Sequence, residues 1–268
     1  MSVMLKVDHI SKTFNPGTIN EKVALRDISL EMEEGDFITV IGGNGAGKST
    51  LLNAIAGVWP VESGSIVIDG TDITGMPEHK RAAVLGRVFQ DPMMGTAPTM
   101  QIDENLALAA RRGKKRTLRW HISKTERESY HEQLKLLNLG LEDRLTQKVG
   151  LLSGGQRQAL TLLMASIQKP KLLLLDEHTA ALDPQTAKKV LGITKEIVER
   201  DHLTAMMVTH NMRDAISTGN RLIMMYEGRI LFDVSGEEKQ KLTVDDLMKK
   251  FEEASGEEFA DDQSLLSR

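Results

Sequence analysis

Phe37-Ile38-Thr39-Val40-Ile41-Gly42-Gly43-Asn44-Gly45-Ala46-Gly47-Lys48-Ser49-Thr50 is the stretch from which the rest of the chain can be read. Its first five residues present no polar face, which suits a strand buried on both sides in a parallel sheet. Leu51, Leu52, Ile55 and Ala56 follow at helical spacing, and Gly57 closes the helix. Between strand and helix, Gly42-x-x-x-x-Gly47-Lys48-Ser49 has the P-loop pattern in the context that pattern requires. Glycines let backbone N–H groups converge on phosphate oxygens, and the helix start adds partial positive charge. Lys48 has the reach for β- and γ-phosphates, and the Ser49 hydroxyl suits Mg²⁺. A glycine turn that merely joined a strand to a helix would need neither group.

Outward from this loop, Ile28, Leu30 and Met32 alternate with polar residues, as in a half-buried strand. Residues 65–69 and 84–89 read as further short strands. From about 92 to 150 no strand is expected; Ser123 and Glu126 have capping-box spacing, with Tyr130, Leu134 and Leu137 behind them at helical spacing. A mostly helical insert therefore interrupts the α/β core. Strand character returns at 172–175, then a helix capped by Asp183 with Pro184 in its first turn, a strand at 203–208, and a hairpin over 223–226 and 230–232. From Gly236 the chain is helical at best and carries ten acids against five bases.

Two more segments carry chemistry. Leu172-Leu173-Leu174-Leu175-Asp176-Glu177 places two acids at the carboxyl end of a buried strand, the edge where α/β sheets hold ligands. Asp176 suits a Mg²⁺ shell, and Glu177 suits orientation and deprotonation of an attacking water. Leu152-Ser153-Gly154-Gly155-Gln156 opens a helix expected over about 156–168 and is again built for phosphate: glycines, a hydroxyl and a helix start. One nucleotide needs one P-loop, so a second phosphate-directed helix start on the same chain requires a reason.

Composition narrows the class. The 268 residues have no cysteine, which excludes disulfide scaffolds, thiolate metal sites and thiol nucleophiles and leaves a reducing compartment as the default. No apolar run approaches the ~18 residues of a membrane-spanning helix, nor does the start read as a signal peptide. A formal charge of −4 from 34 basic and 38 acidic residues argues against a nucleic-acid coat. The most basic stretch, residues 111–120, reads first as a solvated face and second as a contact for a membrane partner.

Taken in order, these elements resemble the ATPase subunits of ATP-binding cassette transporters over residues 5–232. The resemblance implies an α/β fold: a P-loop NTPase core with a mixed, partly parallel sheet, an N-terminal antiparallel β-subdomain and an inserted helical subdomain at about 92–168. The cassette would span 1–235, with an acidic extension over 236–268. It implies ATP and Mg²⁺ as ligands. Residues 152–156 look like the family's signature motif, which contacts the γ-phosphate of ATP held by a second subunit; a head-to-tail homodimer follows. Phe14 resembles the aromatic that stacks on adenine, with Val23 beside it. Gln90 looks like the loop glutamine of the Mg²⁺ shell, residues 181–183 like the loop that communicates across the dimer, and His210 like the switch histidine at the γ-phosphate.

On this reading the catalytic residues are Glu177, His210, Gln90 and Lys48. Nucleotide is bound by Phe14, by Gly42, Gly43, Asn44, Gly45, Ala46, Gly47, Lys48, Ser49 and Thr50, and by Ser153, Gly154, Gly155 and Gln156; Ser49, Gln90 and Asp176 hold the metal. The partners implied are transmembrane permease subunits, a second ATPase subunit and an extracytoplasmic solute-binding protein, with the chain peripheral on the cytoplasmic face of the membrane and no nucleic acid expected. A free-standing cassette of this kind is similar to bacterial importer ATPases, and the insert after Asn105-Leu106 to those serving branched-chain or other amino-acid permeases. An exporter ATPase with separate pore subunits and a soluble, non-transport cassette are the other readings. One position departs from the family: His178 stands where proline is usual after the acid pair. The simplest reading of it is a tolerated loop variant, the alternative a titratable group acting near Glu177. The histidines other than His210 are expected at the surface.

Overall fold

Alternation in β-strands decides which face meets the core. Ile28, Leu30 and Met32 are buried while Ser29, Glu31 and Glu33 are exposed, in a computed structural model that describes residues 2–114 and 122–255. Along the chain, β1 (Val3–Phe14), β2 (Lys22–Glu33), β3 (Phe37–Ile41), α1 (Lys48–Ala56), β4 (Ser63–Ile68), β5 (Thr71–Asp72) and α2 (Glu78–Arg81) open one compact unit. A second unit holds β6 (Leu85–Val88), α3 (Ile102–Ala110), α4 (Lys124–Lys135), α5 (Gly154–Ser166), β7 (Leu172–Asp176) and α6 (Pro184–Arg200). The chain returns to the first unit at Leu203 with β8 (Ala205–Val208), α7 (Met212–Ser217), β9 (Arg221–Tyr226), β10 (Arg229–Ser235), α8 (Gly236–Lys241) and α9 (Val244–Ser255).

The first unit has two layers of strands. An antiparallel sheet runs β2-β1-β4-β5. In the other, β3 pairs in parallel with both β8 and β9, and β10 folds back antiparallel on β9. All five residues of β3 are buried, as an apolar strand flanked on both sides must be. Beyond β10, Leu247 and Phe251 of α9 enter a core cluster with Ile41, Met212, Leu222 and Met224. The chain beyond β10 is thus tied to the rest of the first unit by apolar burial, and Lys239 of α8, itself buried, donates to the carbonyls of Thr218 and Gly219 just past α7.

In the second unit β6 and β7 pair in parallel, with Leu172 through Leu175 wholly buried. Between those two strands the described residues hold no further strand, only a single antiparallel bridge from Gln101 to Lys148. Ser123 caps α4 with the reciprocal Glu126 bond, so the capping-box spacing is realised. The expected helix over 156–168 starts two residues early, at Gly154, and ends at Ser166. Ser153 is the reason: its side chain accepts from the Gln156 N–H and its own N–H is met by Gln156 Oε1. Of the basic stretch, Arg111 pairs with Glu126 at 3.0 Å and Arg112 donates to the Ala165 carbonyl, so its described beginning is used within the fold; residues 115–120 lie outside the described residues. The last part of the acidic extension, residues 256–268, lies outside them too.

Candidate functional site

The P-loop is fixed by backbone on two sides within the first unit. Gly228, at the tip of the β9–β10 hairpin, donates its N–H to the Ala46 carbonyl at 3.0 Å and accepts from the Arg26 N–H of β2 at 2.8 Å. Side chains would not fit this sandwich. A Cβ on Gly42 would stand 2.3 Å from the Met225 carbonyl oxygen, and one on Gly47 2.5 Å from that of Ala24. Both glycines also have φ in the positive range, 152° and 101°, which bulkier residues rarely adopt. The outcome is a loop whose crown, Asn44 and Gly45, faces solvent while Gly43, Ala46 and Lys48 are buried.

Lys48 Nζ donates to the carbonyls of Gly42 at 2.8 Å and Gly43 at 3.1 Å, an ammonium held inside the curve of the loop. Ser49 is exposed at the start of α1, and Thr50 half-buried behind it. At the other end of α1, Arg81 gathers the free carbonyls: its guanidinium donates to Ala54 and Ile55 at 2.8 Å, to Met76 at 2.7 Å and to Thr74 at 2.8 Å. A buried cation with carbonyls for partners complements the negative end of the helix dipole. Phe14 is half-buried at the end of β1, with the Trp59 ring edge-on at 5.4 Å and the Lys12 ammonium 5.6 Å from its centroid. Val23, half-buried, lies next to it on β2. His210 is half-buried past the end of β8, and Asn211 after it caps α7 by accepting from the Asp214 N–H at 3.0 Å.

The second unit carries the acids. Asp176 ends β7, half-buried, with the Arg87 guanidinium 3.8 Å from its carboxylate; the same guanidinium stacks on Phe89 at 4.5 Å, one residue before Gln90. Glu177 has φ 44°, a left-handed backbone that turns the chain sharply after the strand. Gln90 is exposed, and an Asx turn holds the loop after it: Asp91 Oδ1 accepts from the Met93 N–H at 2.8 Å. Gln158 of α5, fully buried, donates to the Phe89 carbonyl at 3.1 Å, so the helix opened by Ser153 also anchors the residue before Gln90. Neither Arg87 nor Gln158 is marked by any motif, and only their strand and helix positions could have pointed to them.

Ser153 and Gly154 are exposed at the mouth of α5, and Gly155 is buried against α6, where a Cβ would meet Thr186 Cγ2 at 2.1 Å. Arg157 secures the preceding turn from the carbonyls of Val149, Gly150 and Leu152 and also reaches Met93 Sδ. Asp183 caps α6 through the Thr186 N–H at 3.1 Å, and the Thr186 side chain together with that N–H holds its carboxyl below the usual range. His178 corrects the surface expectation. It is buried, and its Nε2 lies 2.9 Å from Thr194 Oγ1. Because that hydroxyl gives its one proton to the Val190 carbonyl, His178 must be the donor, the tautomer protonated on Nε2. Burial pushes its pKa down to about 4.

A glycine cradle with a lysine held inside it, and a buried strand that ends in two acids, define a P-loop ATPase. Residues 25–180 match the family described as ABC transporter. The chain is 45% identical over 256 residues, 94% of its length and all of the relative's, to a tyrosine transport ATP-binding protein of Clostridioides difficile. It is 33% identical over 237 residues to the spermidine/putrescine import ATP-binding protein PotA of Haemophilus influenzae, of which it spans 59%, and 36% identical to the bicarbonate transport ATP-binding protein CmpC of Synechococcus elongatus, of which it spans 32%. Among solved structures, a dimeric ATP-binding cassette in a post-hydrolysis state with ADP and Pi superposes with TM-score 0.74 at 29% identity, covering 87% of this chain and 98% of that one. The ADP conformation of another cassette gives 0.73 at 26% identity, covering 89% and 93%.

The chain belongs to the ABC transporter family. It is an ATP-binding, ATP-hydrolysing subunit of a transporter, with permease subunits and a second ATPase subunit as its partners. No helix among the described residues is long and apolar enough to cross a membrane.

Proposed function

We propose that this ATPase powers uptake of an amino acid, tyrosine or a close aromatic relative, through separate permease subunits fed by an extracytoplasmic solute-binding protein, and that it works as a homodimer peripheral to the membrane. The observation that carries the substrate class is 45% identity along the whole length of a tyrosine transport ATPase. The mechanism rests on the cradle: Lys48 and the backbone of 42–50 bind the phosphates, Phe14 takes the adenine, and Ser153, Gly154, Gly155 and Gln156 meet the γ-phosphate of the other subunit's ATP. The donor set Ser49, Gln90 and Asp176, all oxygen, fits Mg²⁺ as a hard cation. When bound, Mg²⁺ neutralises charge on the β- and γ-phosphates. Glu177 accepts a proton from the attacking water, and His210 touches the γ-phosphate and reports its loss. In this reading residues 1–235 form the cassette and 236–268 an acidic extension. Exposed Met93, Met94 and Leu108 on the second unit are large apolar side chains of the kind a permease would cover.

The test is Glu177→Gln. It retains ATP binding, loses turnover by at least about a hundredfold, as expected when a general base is removed, and accumulates as an ATP-bound dimer in gel filtration. Wild-type turnover in that variant would remove Glu177 from its role. Substrate is read separately, by reconstituting the ATPase with its permease and measuring which amino acid stimulates hydrolysis.

A further inference from the structure

A second lysine stands at the P-loop that the motif does not account for. Lys22 opens β2, is exposed, and lies directly across the antiparallel pair from Phe14. Its ammonium is beside the crown of the loop: a Cβ built on Gly45 would be 3.0 Å from Lys22 Nζ. Among the described residues it has no hydrogen bond or ion pair, and the adjacent acid, Glu21, is turned away to accept from the Gly17 N–H at 2.6 Å. The strand that carries it is not free to move aside, because two residues later the Ala24 carbonyl packs on Gly47 and on Gly228. Lys48 occupies the inside of the loop with its ammonium on Gly42 and Gly43, and Lys22 covers the outside.

We propose that Lys22 is a further nucleotide-binding residue, whose ammonium contacts the phosphate chain of ATP from the β2 side of the loop. This rests on the assignment of Phe14 and residues 42–50 to the nucleotide. Directly opposed residues of an antiparallel pair have Cβ atoms about 4.5–5.5 Å apart, so a nucleotide with its base on Phe14 and its phosphates on the loop passes Lys22 on the way. A polyanion at that point meets an unpaired cation already within reach, and a charge-assisted bond to phosphate forms without breaking an ion pair.

The experiment is calorimetric titration of ATP and ADP into the full chain and its Lys22→Met and Lys22→Arg variants at two salt concentrations. Lys22→Met weakens both nucleotides by about tenfold at low salt, the scale of one charge-assisted hydrogen bond, and flattens the salt dependence; Lys22→Arg stays within about threefold of wild type, as a retained charge requires. The thermal midpoint without nucleotide is the same in all three. Wild-type affinity in Lys22→Met overturns the proposal, as does an equal loss in the Met and Arg variants. Lys48→Ala keeps the two readings apart: if it binds ATP as wild type does, the nucleotide assignment of the loop has failed, whereas its loss alongside a normal Lys22→Met condemns only the role of Lys22.

Discussion

His178 follows Glu177 with an imidazole that is buried, donates from Nε2 and has its pKa pushed down to about 4 by loss of water. At neutral pH it carries no charge, so a titratable partner for Glu177 is not what this position supplies; it bonds to Thr194, which a proline has no donor to do. The cost emerges in acid. An ordinary unfolded imidazole titrates near 6.5, so below that pH the unfolded chain takes up a proton that the folded chain refuses, and stability falls as pH drops from about 6.5 towards 4. Between pH 7 and pH 4 the loss from this residue is roughly 3 kcal/mol. His178→Gln removes the titration while keeping a side-chain donor. Thermal melts across that range should therefore fall less steeply in the variant than in wild type, and parallel curves would mean that His178 is not held neutral by the fold.

At the scale of elements, the helix start at Ser153, proposed to meet the other subunit's ATP, is also a packing motif. Ser153 is a cap whose hydroxyl serves the Gln156 N–H, and Gly155 lets the first turn of α5 approach the first turn of α6 at Thr186. A methyl at 155 would sit 2.1 Å from Thr186 Cγ2, a stiff β-branched carbon. Gly155→Ala is expected to lower stability by about 1–3 kcal/mol, the range for overpacking, and Thr186→Ser, which deletes that carbon, to recover most of it in denaturant melts. Failure of the second change to rescue the first would locate the strain elsewhere. Local chemistry made this region legible in the sequence: the capping spacings of Ser123 and Ser153, the apolar period of β3 and β7, and the lysine and serine after six residues of glycine-rich loop each signal themselves within a few positions. What stayed hidden depends on residues far apart in the chain. Arg81 capping α1 from 26 positions away, Gln158 holding the Phe89 carbonyl from 69, and Lys22 beside Gly45 arise from packing that no period or spacing announces. The burial of His178 arises in the same way, with Thr194 facing it from the next helix.

For the molecule as a whole, the two helix starts proposed to meet ATP phosphates divide between the two units, the P-loop on the first and the Ser153 start on the second. If each ATP is held by one copy's P-loop and the other copy's residues 153–156, inactivating either element kills both sites of a homodimer, but inactivating different elements in different copies does not. Mixing Lys48→Ala with Ser153→Arg chains places both lesions in one site and leaves the other with an intact P-loop and an intact signature. Neither variant alone should hydrolyse ATP. Random pairing makes half of the dimers mixed, each with one of its two sites whole, so turnover should reach up to about a quarter of wild type, as the symmetry of a head-to-tail pair requires. The recovered rate should also rise with total protein concentration, because it belongs to the dimer. A mixture as inactive as its components, under conditions where wild type is fully dimeric, would show that each copy completes its own site.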